Sequence, residues 1–290
     1  MQTMSGTTCL VTGATSGIGK ETALRLAMLG AAVILVARDV ARGAAAEADI
    51  RARVPLAQVE LMTADLSSPA QVRQLAAGIE ARGGRLDVLV NNAGVISPHR
   101  QLTAEGLETT FAVNHLGPFL LTSLLRGLLM RSAPARVVTL SSAAHKQVRA
   151  LAWEDLPRGG RSGHGQAYPV SKLLNILFTS ELARRLAGTG VTANCLHPGF
   201  VRTGLGRDVT GVLGAVLPLI LRLRPGPEAG ARTPVYLASS PEVAGVTGGY
   251  FVNCKPAEPS ALAKDARAAA RLWALSEDLT GLPPTAGTQT

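Results

Sequence analysis

Short apolar runs and segments with helical periodicity alternate along the chain. The apolar runs predict strands at 7–12, 32–37, 58–63, 86–90, 136–140, 191–196 and 250–253. Apolar residues at helical spacing predict helices at 20–29, 41–53, 69–79, 105–130, 170–186, 228–239 and 260–279. Strands that alternate with helices through short loops indicate an α/β, doubly wound Rossmann fold. We expect a parallel seven-stranded sheet with helices on both faces.

One domain accounts for the whole pattern. No internal repeat and no linker divides the 290 residues, so we expect a single domain over 1–281. Gly281 ends the last helix, and we expect the tail 282–290, which contains Pro and Thr, to be disordered. Hydrophobic residues make up 47% of the chain and charged residues 17%, a balance typical of a globular protein with a buried core.

The net charge of +9 comes from scattered Arg residues and forms no basic run. This distribution argues against nucleic-acid binding and leaves a peripheral contact with an anionic membrane open. The longest apolar run, 212–221, is too short to cross a bilayer, and we find no signal peptide before the first strand. The three cysteines lie in apolar stretches without metal-binding spacing to histidines. We therefore expect a cytoplasmic location and no metal site.

A glycine-rich turn follows the first strand and opens the first helix. Gly13, Gly17 and Gly19 would let the backbone turn tightly and approach a pyrophosphate at the helix N-terminus. An ordinary βα turn is the alternative, but the flanking strand and helix favour a dinucleotide site. The second strand ends at Arg38, where NAD-selective sites usually have an acidic residue. A cation there suits the 2′-phosphate of NADP, so we predict NADP(H), with NAD(H) the less favoured alternative.

Tyr168 and Lys172 lie four residues apart, so on a helix their side chains share one face. A neighbouring ammonium lowers the pKa of a phenol, which is about 10 in isolation, and lets it exchange a proton with a substrate oxygen. This spacing is common by chance, and its weight depends on the other motifs. Pro169 directly follows the tyrosine, so we expect Tyr168 at the helix cap and the helix to begin after it.

Ser142 follows the fifth strand closely, at the edge where ligands bind in an open α/β sheet. Its hydroxyl is suited to hydrogen-bond a substrate oxygen. A nucleophilic serine with His145 as its base is an alternative, but no Gly-x-Ser-x-Gly elbow surrounds Ser142. We therefore expect His145 to be a loop side chain.

Several motifs follow one another in a fixed order along the chain. They are TGATSGIG at 12–19, DL at 65–66, NNAG at 91–94, Asn114, Ser142, YPVSK at 168–172 and HPG at 197–199. Together they resemble the short-chain dehydrogenase/reductase superfamily over nearly the whole chain. The sequences GIGKETA at 17–23, SSAAH at 141–145 and GGYFVNCK at 248–255 resemble its retinol dehydrogenase branch.

The resemblance implies a catalytic set and a cofactor site. The implied catalytic residues are Asn114, Ser142, Tyr168 and Lys172, with Asn114 helping to hold a water against the lysine. With Arg38, the predicted cofactor-binding residues are Gly13, Thr15, Ser16, Gly17, Ile18, Gly19, Asp65, Leu66, Asn91, Ala93, Gly94, Tyr168, Lys172, Pro198, Gly199, Val201 and Thr203. Asp65 is expected to meet the adenine and Asn91 to border the adenosine half. Its neighbour Asn92 is expected to buttress the sheet, and Thr203 to contact the nicotinamide carboxamide.

The implied activity is an NADP(H)-dependent interconversion of an alcohol and a carbonyl. The resemblance also places 204–227 as a lid over the substrate. Leu, Val and Ile crowd that segment, which favours a lipophilic substrate such as a retinoid, a steroid or a long-chain aldehyde. A homodimer or homotetramer is a further expectation. Two alternatives are a non-catalytic NADP-sensing or scaffold protein on the same fold and an enzyme similar to protochlorophyllide reductase.

Overall fold

One eight-stranded sheet runs through the centre of the protein in the computed structural model, which describes residues 3–97, 99–158, 166–199, 201 and 225–284. The strands are β1 (Thr8–Thr12), β2 (Ala32–Ala37), β3 (Val59–Thr63), β4 (Val88–Asn91), β5 (Ala135–Leu140), β6 (Val191–His197), β7 (Tyr250–Val252) and β8 (Lys255–Pro256). They lie in the order β3-β2-β1-β4-β5-β6-β7-β8. The first seven pair in parallel, which confirms the predicted doubly wound sheet.

The eighth strand is a correction to the predicted count of seven. β8 has two residues and pairs antiparallel with β7 through a tight turn at Asn253 and Cys254, both with positive φ. A strand of this length carries no hydrophobic alternation, so the sequence pattern gave no sign of it.

Helices cover both faces of the sheet, as predicted. They are α1 (Gly17–Met28), α2 (Val40–Arg53), α3 (Pro69–Ala81), α4 (Thr109–Phe111), α5 (Gly117–Arg131), α6 (Ala167–Arg185), α7 (Pro227–Gly230), α8 (Arg232–Ser239) and α9 (Ala266–Thr280). Neighbouring strand residues point to opposite sides: Leu10 packs into a core with α3, α5 and α6, whereas Val11 packs into a second core with α1, α2 and α8. Because helices cover both faces of the sheet, the side chains on both sides of the central strands are buried and apolar.

Short helical turns fill several connections between these elements. They are 3₁₀ turns at Ala143–Gln147, Trp153–Arg158, Pro241–Val243 and Ala261–Lys264. Ser68 caps α3, accepting a hydrogen bond from Gln71 N, and Gly281 ends α9 in the left-handed conformation, as the sequence predicted. No helix in the described part of the chain is long and apolar enough to cross a membrane.

The predicted helix over 105–130 is interrupted in the structure. Glu108 caps a helix that begins at Thr109, and residues Ala112–Leu116 form a π-helical turn before α5. In this turn, Gly117 N donates a hydrogen bond to Ala112 O, five residues earlier, which is the spacing of a π-helix. Pro118 lacks the N–H that would bond to Asn114 O in a regular α-helix, so the carbonyl of Asn114 is released from the helical ladder.

The start of α6 differs from the prediction. The helix begins at Ala167, with Gln166 at the N-cap, so Tyr168 lies inside the first turn rather than at the cap. Pro169 is tolerated as the third helical residue because the first four N–H groups of a helix have no partner within it. Tyr168 and Lys172 are therefore separated by one helical turn. Three predicted features fall outside the described residues. They are Thr203, positions 204–224 of the expected lid, and tail residues 285–290.

A histidine from the π turn is buried among aromatic rings. The imidazole of His115 is stacked on Phe111, 5.6 Å between centroids, and meets Phe178 edge-on at 6.1 Å. Burial lowers its pKa to about 3, and the nearby Asn175 carboxamide partly opposes this shift. His115 is therefore neutral in the folded protein at any pH near neutrality.

We predict that this histidine makes the fold sensitive to acid. The unfolded chain takes up a proton near pH ~6.5, while the folded protein does so only near pH 3. Stability is therefore lost as the pH falls through this window, by about 1.4 kcal/mol per pH unit from this group. His115→Phe should remove that part of the pH dependence, measured by urea unfolding from pH 7 to 4. Equal slopes for the two proteins would contradict the prediction.

Candidate active site

A cleft of about 420 Å³ opens at the carboxyl ends of the central strands. The chain passes from β1 to β2 on one side and returns to β4 on the other, so the cleft lies where the strand order reverses. Ligands of open α/β sheets bind at this position. Its walls come from the glycine turn and from the segments that follow β2, β3, β4 and β5, together with the first turns of α6.

The glycine turn leaves room for an anion at the start of α1. Gly17 has a φ of +58°, and a Cβ added there would meet nothing within 4 Å. A Cβ on Gly19 would instead clash with Asn92 Nδ2 and Gly13 O. Ser16, the N-cap, makes no capping bond with its side chain, and the first turn holds no acidic residue. The N–H groups of this turn are therefore available to a phosphate.

Two side chains tie the glycine turn to the end of β4. Thr12 Oγ1 accepts hydrogen bonds from Asn92 N and Ala93 N, both at 3.0 Å. Asn92 Nδ2 donates to Thr12 O at 2.7 Å and to Gly13 O at 3.2 Å. Asn92 thus supports the glycine turn and also lines the cleft. The sequence reasoning missed the role of Thr12, whose place as the last residue of a buried strand was its only signal.

Asn91 does not occupy the predicted position. Its side chain is buried beneath the cleft, where Nδ2 donates to Thr122 Oγ1 of α5 at 3.0 Å. Asn91 is the last residue of β4 and is absent from the lining of the cleft, whereas Asn92, just beyond the strand, is part of it.

Two arginines line the far end of the cleft. Arg38 follows β2, and Arg42 lies in the first turn of α2. Asp39, between them, is turned to the helix as its N-cap and accepts a hydrogen bond from Arg42 N at 2.9 Å. Among the described residues neither guanidinium forms an ion pair. Arg42 was missed by sequence reasoning, although it lies four residues after Arg38 at a helix start.

Asp65 and Leu66, after β3, line the cleft as predicted. The Asp65 carboxylate accepts hydrogen bonds from the backbone N–H and the hydroxyl of Ser67, at 2.8 and 2.7 Å. These bonds fix the carboxylate at the wall of the cleft.

The buried lysine stands at the other end of the cleft. Lys172 is 4% exposed, and its Nζ lies 5.5 Å from the centroid of the Tyr168 ring. Burial lowers the pKa of Lys172 to about 8. Among the described residues its hydrogen-bond acceptor is Leu140 O, at 3.2 Å. An ammonium has three N–H donors, so Lys172 can also bind a cofactor ribose.

The pKa of Tyr168 moves opposite to the sequence-based expectation. Burial raises the pKa of the phenol, and the interaction with the Ser142 side chain only partly opposes this. The cost of desolvating a phenolate therefore outweighs any effect of the neighbouring ammonium in this structure. Tyr168 is held as a neutral phenol, the form that donates a proton.

Asn114 fixes the backbone beside the lysine. Its Oδ1 accepts from Val95 N at 2.7 Å, and its Nδ2 donates to Val95 O and Ser171 Oγ, both at 3.0 Å. Ser171 Oγ in turn donates to Tyr168 O at 2.8 Å. The carboxamide is thus engaged by protein groups through both its oxygen and its nitrogen.

His145 lies in the connection between β5 and α6, and its side chain is buried. It is 0% exposed, within a 3₁₀ turn. Its Nδ1 donates to Ser142 O at 2.7 Å, and its Nε2 accepts from Ser260 N at 3.1 Å. Both ring nitrogens are engaged with main-chain groups, so neither is available as a base for the Ser142 hydroxyl.

The cleft brings together most of the predicted cofactor-binding residues. Its lining includes Gly13, Thr15, Ser16, Gly17, Ile18, Gly19, Arg38, Asp65, Leu66, Ala93, Gly94, Tyr168, Lys172 and Pro198. Gly199 and Val201 line a neighbouring cavity of about 440 Å³ instead. Ser142 and Asn114 are not among the lining residues, and they contact Tyr168 and Val95 respectively. Thr203 lies outside the described residues.

Comparison with known proteins shows the family of this chain. The model of the short chain dehydrogenase family matches residues 7–211. The chain therefore belongs to this family of oxidoreductases, and its relatives place it in the retinol dehydrogenase-like branch. It is 44% identical to human Retinol dehydrogenase 13 over 287 residues, which cover 97% of this chain and 86% of that protein.

Two solved structures show the same architecture. A crystal structure of an uncharacterised protein from Mycobacterium paratuberculosis is 38% identical, with a TM-score of 0.78 over 97% of this chain and 96% of the other. The Pseudomonas aeruginosa RhlG/NADP active-site complex is 28% identical, with a TM-score of 0.69 over 86% of this chain and 95% of that one.

Proposed function

We propose that this protein is an NADP(H)-dependent oxidoreductase that interconverts a lipophilic alcohol and its carbonyl. The observation that carries the proposal is the position of Tyr168 and Lys172. They share one helical turn at the same cleft as an uncapped, glycine-bounded helix N-terminus. One end of the cleft can bind a pyrophosphate, and the other can move a proton to or from a substrate oxygen.

The described residues fit a nicotinamide dinucleotide. The open space at Gly17, the arginines at the far end and the uncommitted N–H groups of Lys172 are each suited to one part of it. When bound, the nicotinamide supplies or accepts the hydride at the substrate carbon. The protein chain supplies placement and proton transfer.

In the direction of carbonyl reduction, the Tyr168 hydroxyl donates its proton to the substrate oxygen as negative charge develops there. The Ser142 hydroxyl, which interacts with Tyr168, donates a hydrogen bond to the same oxygen. Lys172 stabilises the tyrosinate that remains, and Asn114 fixes Val95 and Ser171 around the lysine. Burial raises the pKa of Tyr168, so the phenol is protonated in the resting site and is a weaker acid than a free phenol. Stabilisation of the tyrosinate by Lys172 is therefore needed for it to donate its proton.

The choice of NADP over NAD rests on the two arginines. Arg38 and Arg42 line the end of the cleft, and the one acidic side chain between them is committed to capping α2. Two neighbouring guanidinium groups suit a phosphate rather than a ribose hydroxyl, and the Asp39 carboxylate, which also lines the cleft, accepts a hydrogen bond from Arg42 N. The structural relative RhlG, which was solved with NADP in its active site, supports the same choice.

Two observations support a lipophilic substrate: the composition of the expected lid and the similarity to a known relative. The relative that is 44% identical is a retinol dehydrogenase. The segment 204–227, expected as the lid, contains nine Leu, Val and Ile residues between 205 and 221. A polyol buried there would lose hydrogen bonds to water at about 1–3 kcal/mol per unpaired group. Contact of this basic chain with an anionic membrane, its cytoplasmic location and a homodimer or homotetramer stay predictions.

The experiment that tests the proposal is Tyr168→Phe. Removing the hydroxyl deletes the proton donor while the ring still packs, so kcat should fall by about 10²–10⁴-fold. NADPH affinity, measured by fluorescence titration, should stay near native. Tyr236→Phe is the control, because that hydroxyl contacts Glu242 outside the cleft. Turnover near the native rate in Tyr168→Phe would refute the assignment.

Cofactor selectivity should depend on Arg38. We expect the native enzyme to favour NADPH by roughly 1.5–3 kcal/mol, the range for hydrogen bonds to charged groups. Arg38→Asp should reverse the preference, and added salt should weaken it in the native enzyme, because Arg38 is exposed. Arg53→Asp, at the other end of α2, is the control. Equal kcat/KM for NADH and NADPH in the native enzyme would show the prediction to be wrong.

The value of kcat/KM should rise with the chain length of the aldehyde substrate. Each CH₂ buried under an apolar lid is expected to add about 0.8 kcal/mol of binding free energy until the pocket is filled. The measurement is kcat/KM for a series of straight-chain aldehydes, with a sugar aldehyde as the polar control. A flat or falling series, with faster turnover of the sugar aldehyde, would exclude a lipophilic substrate.

A further inference from the structure

The main chain of Ser142 is held by one buried histidine. His145 lies in the 3₁₀ turn Ala143–Gln147, which begins directly after Ser142. The carbonyl of Ser142 accepts two hydrogen bonds from this histidine, from Nδ1 at 2.7 Å and from the backbone N–H at 3.2 Å. Ser142 Oγ in turn accepts a hydrogen bond from Ala144 N at 3.2 Å. The position of the serine therefore depends on the turn that follows it.

The tautomer of His145 follows from its two partners. Ser142 O can only accept a hydrogen bond, so Nδ1 must carry a hydrogen. Ser260 N can only donate, so Nε2, which lies 3.1 Å away, must carry none. The neutral imidazole with its proton on Nδ1 satisfies both partners at once. Burial lowers the pKa of His145, which the bond to Ser142 O only partly opposes, and the Lys146 ammonium lowers it further.

The imidazole joins three parts of the chain. It belongs to the connection after β5, and it meets the ring of Tyr250 in β7 edge-on, with 5.3 Å between centroids. Its third contact is Ser260, which precedes the turn Ala261–Lys264 near the C-terminal helix. The turn that holds Ser142 is therefore itself fixed from the far end of the chain.

The residue before the serine is fixed independently of His145. Ser141 N donates a hydrogen bond to Leu196 O of β6 at 2.7 Å, and Ser141 Oγ donates to Lys172 O at 2.7 Å. Ser142 thus lies between one residue that is bound to the sheet and to α6 and a turn that is bound through His145. Without the imidazole, only the first of these two supports would keep all of its hydrogen bonds.

We propose that His145 is a positioning residue: in the tautomer selected by Ser260 N–H, it holds Ser142 where the serine hydroxyl can reach the substrate oxygen. The inference rests on the proposed function, which gives that hydroxyl its role. A donor to a developing negative charge acts only when it is correctly placed, and a misplacement near 1 Å can cost about 10²-fold in rate. His145 therefore acts on the main chain of the serine and not as a base for its hydroxyl.

The test compares two substitutions that each keep one of the ring's two bonds. The amide nitrogen of Asn branches from Cγ as Nδ1 does, so His145→Asn can still donate to Ser142 O but no longer accepts from Ser260 N. The amide oxygen of Gln reaches the place of Nε2, so His145→Gln keeps the bond from Ser260 and loses the side-chain bond to Ser142. With NADPH and decanal as substrates, we expect His145→Gln to lower kcat about tenfold or more. His145→Asn should recover most of this loss.

A double-mutant cycle with Ser142→Ala separates positioning from a general disturbance of the fold. Ser142→Ala should lower kcat by about 10²–10³-fold, the usual cost of losing one donor to a developing oxyanion. Adding His145→Gln to Ser142→Ala should then change kcat by less than about twofold, because the hydroxyl that His145 positions is already absent. A histidine with a merely structural role would lower kcat by the same factor in both backgrounds. NADPH affinity should stay near native in His145→Gln, because neither residue lines the cofactor cleft.

The resonances of the ring give a readout that does not depend on activity. At neutral pH, nitrogen NMR of the native protein should show Nδ1 protonated and Nε2 bare. Ser260→Pro removes the N–H that donates to Nε2, and Ser260 has a φ of −64°, which proline adopts. The Nε2 resonance should move in this variant. Ser260→Ala is the matched control: it keeps the N–H and removes a hydroxyl without a hydrogen-bond partner among the described residues, so the resonance should stay.

Any of three results would overturn the inference. They are native kcat in His145→Gln, an equal loss from His145→Gln in the native and Ser142→Ala backgrounds, and a proton on Nε2 in the native protein. If His145→Gln does not fold, the native ring resonances and the two Ser260 variants decide. An Nε2 resonance that is unchanged in Ser260→Pro would then refute the link to the C-terminal part of the chain.

The inference can fail while the proposed function stands. This is the outcome if Tyr168→Phe loses turnover and His145→Gln keeps it. If the native protein reduces no carbonyl with NADPH, the proposed function fails, and the role of His145 in the reaction fails with it. The ring tautomer and the Ser260 variants still show in that case whether His145 holds Ser142.

Discussion

The burial of one ammonium group is the constraint on which this site depends. An isolated charge in the interior is costly, and it persists only where hydrogen bonds and shape compensate for the lost water. The Lys172 ammonium donates a hydrogen bond to Leu140 O, at the end of β5. Burial still lowers the pKa of Lys172 to about 8, so this bond replaces only part of the lost hydration. An anionic, hydroxyl-rich cofactor beside it would complete the compensation.

Around this lysine the structure rigidifies the main chain with side-chain hydrogen bonds. Asn114 holds Val95, Ser141 Oγ donates to Lys172 O at 2.7 Å, and Asn92 holds the glycine turn. Each bond joins the end of one strand to a neighbouring element. The C-terminal edge of the sheet is therefore fixed before any ligand arrives, which lowers the cost of binding and of proton transfer.

The described aromatic residues are concentrated on one side of the sheet. Phe119, Phe178 and Trp273 pack with ring centroids 5.0–6.0 Å apart between α5, α6 and α9. This cluster holds α6, and with it Tyr168 and Lys172, against the sheet. His115 lies within the same cluster, so polar and apolar contacts act on the same helix.

The sequence by itself determined the order of strands and helices, the parallel sheet, the glycine turn and the pairing of Tyr168 with Lys172. These features depend on local periodicity and on the spacing of residues within one element, and both can be read from the amino-acid sequence. Tertiary structure decided the rest. It placed the Asn91 side chain against Thr122 and the Asn92 side chain at the cleft, because β4 ends at Asn91 and the carbonyls of Thr12 and Gly13 bind the Asn92 amide beyond it. It buried His145 against Ser260, 115 residues away. It also raised the pKa of Tyr168 where spacing alone predicted a fall, because desolvation depends on what the whole fold places around a side chain.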